Sequence, residues 1–115
     1  MSRFKKWKRP KFKHITGSLY KTKYNWMVTC PENLALGKNT DIGIFTYINA
    51  RYGVIIEDDV QIGSHVSIYS DDTERRISGM IIIKEGVLIG SHVTILPRDQ
   101  TFIIDFNVKA GSVIY

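Results

Sequence analysis

Aliphatic residues recur every six positions along most of the chain after Leu36. In each six-residue unit, here called a hexad, the first position is nearly always aliphatic and the fifth is often small or β-branched. The hexads begin at positions 36, 42, 48, 56, 62, 68, 83, 89, 95, 102 and 108. This period predicts short strands whose first and fifth positions point into one core. The fifth positions in question are Thr40, Thr46, Val60, Val66, Val87 and Val93.

The extra residues that interrupt the hexads are also regularly placed. Two, nine and one extra residues separate successive groups of three hexads. Three hexads therefore make one coil, and the extra residues leave at the same corner of a triangular prism. An alternation of strands and helices would need helical stretches of about ten or more residues between strands, and none is visible. We predict an all-β solenoid of about four coils over residues 34–115, with a loop insertion at about 70–79.

The string IGSHV occurs twice and carries two of the three histidines, His65 and His92. Both are fourth in their hexads, and both hexads are second in their coil. We therefore expect them at one corner in successive coils, with backbones about 4.8 Å apart. The same column continues to Phe45 and Gly111. Solenoids often stack similar residues for packing reasons alone, so a structural and a catalytic role stay open for each histidine. Two imidazoles this close would also disfavour simultaneous protonation.

Positive charge is concentrated before the repeats. Nine of the 16 Lys and Arg residues precede Glu32, the first acidic residue, and six aromatic residues are interleaved with them. We expect residues 1–33 to form a basic, aromatic segment that caps the open end of the solenoid. The alternative is a surface that grips nucleic acid, anionic lipid or a phosphate-bearing ligand.

Length and composition narrow the class of protein. The 115 residues, 43% hydrophobic, suit one globular domain. No apolar run approaches the roughly 18 residues of a membrane span, and the N-terminus does not resemble a signal peptide. Cys30 is the single cysteine, so it cannot form an intrachain disulfide and we expect a buried thiol. These features predict a cytoplasmic protein with no membrane span.

Four strings carry a resemblance to a known family: TYINARYG, VQIGSHVSIYS, VLIGSHVTILP and AGSVI. They resemble the left-handed parallel β-helix of hexapeptide-repeat acyltransferases. The similar branch contains maltose and galactoside O-acetyltransferases and the bacterial sugar acetyltransferases of surface-polysaccharide synthesis. The resemblance covers roughly residues 34–114. It implies a homotrimer with acetyl-CoA as co-substrate in the groove between subunits, a sugar or nucleotide-sugar acceptor, and no metal. It does not lead us to expect a nucleic-acid partner.

In this family a histidine takes the proton from the acceptor hydroxyl or amine as that group attacks the thioester. The resemblance also carries Asn49 over, because TYINARYG matches the region where an asparagine helps to bind the acceptor. An amide can donate to and accept from sugar hydroxyls at once. A turn residue in left-handed conformation is the alternative role of Asn49.

The insertion supplies further candidates. Asp71, Asp72 and Glu74 could bind an amino sugar, and Arg75 and Arg76 could meet the phosphates of CoA. The structural alternative for all five is an exposed, solvated charged loop.

The chain departs from the family at two places. Maltose and galactoside enzymes carry their catalytic histidine in a string like TATHP after the sixth hexad, where this chain has IYSDDTERRISGM. Either the base lies at the His65/His92 corner, or the loop carboxylates supply it, or acyl transfer has been lost. We favour His65, which lies in the coil of the insertion and just ahead of it. The last coil, where Arg98, Ile103 and Lys109 replace glycines, is expected to be irregular.

Two other functions compete with acyl transfer. A metal enzyme resembling γ-carbonic anhydrase would need three histidines around zinc, but the GHxxxxH arrangement is absent. A noncatalytic trimeric scaffold would use the basic aromatic segment against anionic partners.

Overall fold

A computed structural model describes residues 6–115 of the chain. Arg3, Phe4 and Lys5 of the basic aromatic segment lie outside the described residues. The fold is all-β, as predicted, and its sheets are mostly parallel. Its one short 3₁₀ turn within the described range is Pro31–Asn33. Within residues 6–115 we find no helix with the length and apolar character needed to span a bilayer.

Most strands belong to three sheets. Sheet A contains β1 (Lys13–Thr16), β2 (Leu19–Lys21), β3 (Met27–Thr29), β6 (Tyr47–Asn49), β9 (Ser67–Tyr69), β14 (Thr94–Ile95) and β16 (Val113–Ile114). Sheet B contains β4 (Leu34–Leu36), β7 (Val54–Ile56), β12 (Ile81–Ile83) and β15 (Phe102–Ile104). Sheet C contains β5 (Asp41–Ile42), β8 (Gln61–Ile62) and β13 (Leu88–Ile89). The remaining pair, β10 (Asp71–Asp72) and β11 (Ile77–Ser78), is a small antiparallel hairpin.

From β4 onward the chain enters sheets B, C and A in turn and then returns to B. Each strand pairs in parallel with its counterpart in the next passage, so that Leu36 lies beside Ile56 and Ile56 beside Ile83. The predicted register of the first three passages is therefore confirmed. The first residue of every hexad in these passages is buried. The six predicted fifth positions, which belong to the first and second hexads of each passage, are buried as well.

The fourth passage corrects the predicted register. We expected Phe102 to open its first hexad, but Ile104 is the residue that pairs with Ile83. Phe102 and Ile104 are both buried, as are Ile81 and Ile83, because each strand of sheet B turns alternate residues inward. A period of two cannot distinguish registers that differ by two residues. The third insertion is therefore three residues long, and the hexad after it is two residues short.

A side chain compensates for this short hexad. In earlier passages the N–H groups of Asp41 and Gln61 donate to the backbone carbonyls of Val60 and Val87. At the next level the N–H of Leu88 instead donates to Oδ1 of Asn107 at 2.9 Å. The asparagine amide replaces the carbonyl of the missing residue, so the ladder continues to the bridge at Val108.

The N-terminal segment folds back on sheet A. Strands β1, β2 and β3 pair antiparallel, and β3 then pairs in parallel with β6. Trp26 is buried, and the edge of Phe12 packs on it with ring centroids 5.8 Å apart. Trp7 Nε1 donates to the Thr40 carbonyl at 3.0 Å, and the Arg9 guanidinium donates to the Leu36 carbonyl. Aromatic side chains thus cover the first level of the core.

Candidate functional site

The two histidines lie at the corner between sheets C and A. His65 and His92 both adopt left-handed backbone conformation, with φ of 56° and 57°. The His65 N–H donates to the carbonyl of Ile44, and the His92 N–H donates to the carbonyl of Ser64, each at 3.0 Å. Each residue therefore hydrogen-bonds to the corner of the preceding passage, which confirms the predicted vertical column.

The column is longer than predicted. Phe45, with φ of 63°, precedes His65, and Gly111, with φ of 79°, follows His92. Asn25, with φ of 64°, stands before them all, and its carbonyl accepts the N–H of Phe45 at 2.8 Å. We did not identify Asn25 from the sequence. Two features of the sequence could have placed Asn25 in the column. It lies 20 residues before Phe45, the same interval as from Phe45 to His65, and asparagine tolerates left-handed backbone.

The histidine rings stack on each other. Their centroids are 4.6 Å apart and their planes differ by 8°. The Phe45 ring lies on the other side of His65, with centroids 5.2 Å apart and a tilt of 55°. All three side chains are exposed. His65 is therefore held on both faces while the edge of its ring, which carries the nitrogens, faces an accessible surface. The next residue of the column after His92 is Gly111, which has no side chain, so among residues 6–115 the column adds no further ring beyond His92.

The turn does not itself require rings. The corner between sheets B and C has Asn39, Asp59 and Gly86 in left-handed backbone, and the corner between sheets A and B has positive φ at Cys30 and Gly53. Asparagine, aspartate and glycine tolerate φ above zero, and so does histidine, whereas phenylalanine does so rarely. The local backbone therefore does not account for the Phe45 ring, which lies against the ring of His65.

Backbone donors at this corner are of two kinds. The N–H groups of Phe45, His65, His92 and Gly111 are all engaged in the column. The N–H groups of Ser64 and Ser91, directly before the two histidines, take part in none of the column's backbone hydrogen bonds. Because they adjoin the two histidines in the chain, they are backbone candidates for stabilising a developing oxyanion.

The insertion lies at a different corner from the histidines. Its hairpin, β10 and β11, follows sheet A, whereas His65 precedes it. Sheet A therefore separates the two within one chain by the length of a three-residue strand, roughly 10 Å. The loop carboxylates and the histidine pair are not brought together in a single copy of the chain.

Asn49 takes part in its own turn. Its Oδ1 accepts the backbone N–H of Arg51 at 3.0 Å, and its backbone is not left-handed. The residue is half-buried at the end of sheet A, where it pairs with Tyr69 across β6 and β9. The amide group thus has a structural partner for its oxygen, while its NH₂ group makes no hydrogen bond within residues 6–115.

Asp72 and Arg75 are tied together in the hairpin. Arg75 Nε donates to Asp72 Oδ2 at 2.5 Å, and this hydrogen bond is the main cause that lowers the pKa of the Asp72 carboxyl. Another guanidinium nitrogen of Arg75 donates to the Pro97 carbonyl at 2.8 Å, and the Tyr115 ring lies beside the guanidinium. Arg75 therefore anchors the insertion to the following passage.

The other predicted loop residues are more open. Glu74 and Arg76 are exposed, and Asp71 is half-buried in β10. Arg76 has left-handed backbone, with φ of 57°, at the turn of the hairpin. Among residues 6–115, no three histidine, cysteine or acidic side chains are close enough together to hold a metal ion.

Comparison with known proteins adds no neighbour. No family model matches the chain, and no match was found among curated proteins or solved structures.

Proposed function

We propose that the chain is a left-handed parallel β-helix that assembles as a homotrimer and transfers the acetyl group of acetyl-CoA to a hydroxyl or amino group of a sugar or nucleotide-sugar. The observation that carries this proposal is the stacked, exposed pair of His65 and His92. Support for the β-helix comes from the repeated passage through sheets B, C and A with parallel register. The resemblance of the repeat strings to hexapeptide acyltransferases supports the reaction.

His65 is the proposed general base. Phe45 and His92 hold its ring on both faces, so little ordering is needed when the acceptor arrives. A neutral ring nitrogen of His65 takes the proton of the acceptor O–H or N–H as that atom attacks the thioester carbonyl carbon. The carbonyl oxygen becomes an oxyanion, and the N–H groups of Ser64 and Ser91, which make no backbone hydrogen bond within residues 6–115, are the proposed donors to it. When the C–S bond breaks, the thiolate of CoA receives the proton from the imidazolium.

A trimer would complete the site. Sheet A is bordered by the histidine corner on one side and by the insertion on the other. If sheet A faces the neighbouring subunits, the hairpin of one subunit lies against the histidines of the next. That arrangement gives Asp71, Glu74 and Arg76 access to substrate, and Asn49 would sit at the same interface.

The test is release of free thiol from acetyl-CoA across free sugars and nucleotide-linked amino sugars. We expect His65→Ala to lower kcat by on the order of 10²–10⁴-fold. His92→Ala removes one stacking partner but not the base, so a loss of about tenfold is expected. His14→Ala is the matched control, because His14 lies in the N-terminal hairpin and donates to the Gly17 carbonyl.

Two results would contradict the proposal at different levels. A larger loss in His92→Ala than in His65→Ala would remove His65 as the base. No turnover with any acceptor, together with no binding of CoA by calorimetry, would exclude the enzyme.

A noncatalytic scaffold is the second candidate, and the cationic N-terminal segment favours it. Association with polyanions that weakens with salt and is unchanged by His65→Ala would support the scaffold over the enzyme.

A further inference from the structure

Two clefts adjoin each other on the N-terminal segment. The smaller, of about 380 Å³, is lined largely by apolar side chains, among them Trp7, Trp26, Leu36 and Ile42, and its lining also includes Asp41. The larger, of about 610 Å³, is lined by six cationic residues and by no acidic residue. These cations are Lys8, Arg9, Lys11, Lys13, Lys21 and Lys23. Tyr24 and the side chains of Lys8 and Lys23 line both clefts.

The antiparallel pairing forces like charges together. Lys13 of β1 lies directly opposite Lys21 of β2. Like charges at such cross-strand positions destabilise a sheet. No carboxylate among the described residues forms a salt bridge with either lysine. A bound anion would offset this repulsion, which points to a ligand rather than to solubility alone.

The aromatic residues indicate the size of the ligand. Tyr24 is half exposed, at 50%. Trp26 is buried, while Trp7 and Phe12 are half-buried and already packed, Phe12 against Trp26 and Trp7 beneath the Arg9 guanidinium. Lys23 Nζ lies over one face of the Tyr24 ring, 5.2 Å from its centroid, so a ligand would stack on the opposite face. One such face beside a ring-sized cleft suits one planar group. A single-stranded nucleic acid would need a series of stacking platforms.

We propose that the two clefts form one binding site for a phosphorylated nucleoside. The ring occupies the smaller cleft against Tyr24, and the phosphates occupy the cationic cleft, where lysine and arginine donate charge-assisted hydrogen bonds. Two sources carry this chemistry, a nucleotide-linked sugar and the 3′,5′-ADP half of coenzyme A. The site rests on the proposed function only for the identity of these sources.

The site lies near the head of the histidine column. Asn25, whose carbonyl accepts the N–H of Phe45, directly follows Tyr24 in the chain. Two column steps of about 4.8 Å then lead from Asn25 to His65. A ligand anchored in the clefts is therefore within reach of the histidine corner through an extended sugar or pantetheine arm.

Calorimetry on the full chain at about 50 mM salt tests the site. The titrants are UDP, 3′,5′-ADP, uridine and inorganic pyrophosphate. We expect at least one of the two nucleotides to bind and to weaken with added salt. Uridine and pyrophosphate should each bind at least about tenfold more weakly, because each lacks one half of the recognised chemistry. UDP and 3′,5′-ADP separate the sugar-nucleotide source from the coenzyme source.

Matched variants locate the binding. Tyr24→Ala should weaken binding by about tenfold or more, while Tyr24→Phe, which keeps the ring, should change it less than about twofold. Lys21→Gln with Lys23→Gln should weaken binding by at least about tenfold. Lys84→Gln with Lys109→Gln removes the same two charges from later passages and should have no effect. Without ligand, Lys21→Gln should raise the melting temperature, because the repulsion with Lys13 is gone. A raised melting temperature also shows that the Lys21→Gln variant is folded, so weaker ligand binding by this variant is not a folding defect.

The proposal is overturned if neither nucleotide binds at millimolar concentration, or if Tyr24→Ala binds as the wild type does. Pyrophosphate binding as tightly as UDP would reduce the clefts to a charged surface and equally overturn it. Binding of a thymidine oligonucleotide or of anionic vesicles without binding of the nucleotides would assign the surface to another class of ligand. The readout needs no acetyl transfer, so His65→Ala should bind nucleotide normally even if the enzyme proposal fails.

Discussion

Gly63 lies between sheet C and the His65 corner, and replacing it with alanine tests how tightly the passages stack. A methyl group there would lie 2.6 Å from the backbone N of Ser91 and 2.8 Å from its Cα. Backbone atoms cannot rotate away as a side chain can. The neighbouring passage must therefore retreat by about 0.8 Å to reach the 3.4 Å of ordinary contact.

The cost follows from the hydrogen bonds at this level. The Gly63 N–H donates to the Ile89 carbonyl at 2.9 Å, and the His92 N–H donates to the Ser64 carbonyl at 3.0 Å. A retreat of that size lengthens both hydrogen bonds beyond bonding distance, and each bond is worth about 1 kcal/mol. Overpacking adds about 1–3 kcal/mol. We expect Gly63→Ala to lower the free energy of unfolding by about 3–5 kcal/mol, a large part of the 5–15 kcal/mol typical of a domain.

Gly86→Ala is the matched control. Gly86 also lies at a corner and has φ of 75°, but a methyl group there would meet nothing within 4 Å. Only the left-handed backbone is then strained, at about 1–2 kcal/mol. Urea unfolding followed by tryptophan fluorescence and circular dichroism compares the two variants. If Gly63→Ala is no less stable than Gly86→Ala, the stacking of the passages is looser than these distances require.

Two further predictions concern assembly and the insertion. Ser67 points outward from sheet A, so Ser67→Arg should dissociate a trimer that packs on this sheet, while Gln61→Arg on sheet C should not. Sedimentation velocity measures the oligomeric state of both variants. An unchanged trimer in Ser67→Arg rules out sheet A as the interface. Because the hydrogen bond from Arg75 lowers the pKa of Asp72 below its ordinary 3.8, the carboxylate stabilises the hairpin above that pH, and this stabilisation is lost as the pH falls through the lowered pKa. Asp72→Asn should therefore speed proteolysis at Arg75 and Arg76 at neutral pH. At a pH below the lowered pKa of Asp72, amide exchange in the hairpin should be alike in the variant and the wild type. Equal proteolysis at neutral pH would contradict the role of this pair.

The hexad period predicts the core well because burial alternates regularly. Residues such as Ile62 and Val66 are inward for reasons visible in the sequence, since a single face of each short strand is apolar. The same regularity made the last passage ambiguous. Phe102 and Ile104 are equally apolar and two residues apart, and only the pairing of Ile104 with Ile83 decides between them. Register across an irregular corner depends on a backbone contact, which composition does not encode.

The candidate site, like the core, is predictable from the sequence only in part. Counting residues between the two IGSHV strings predicts the column of His65 and His92, because vertical position in a repeat is arithmetic. The near-parallel stacking of the rings and the contact of Phe45 depend on side-chain rotamers. The anchoring of Arg75 to Pro97 depends on a contact between residues 22 apart. The opposition of Lys13 and Lys21 follows from an antiparallel hairpin in a segment without any hexad period, so no pattern predicts it.

Two local conflicts occur in the candidate sites. The Phe45 ring occupies left-handed backbone, which histidine and asparagine tolerate better, and two lysines face each other across β1 and β2. Both features oppose stability, and natural sequences keep such conflicts mainly where function requires them. Asn25 connects the two, because it follows the basic hairpin and heads the ring column. A ligand whose charge is neutralised by the lysines, and whose far end reaches His65, would explain both conflicts with one molecule, whereas a purely structural cap would explain neither.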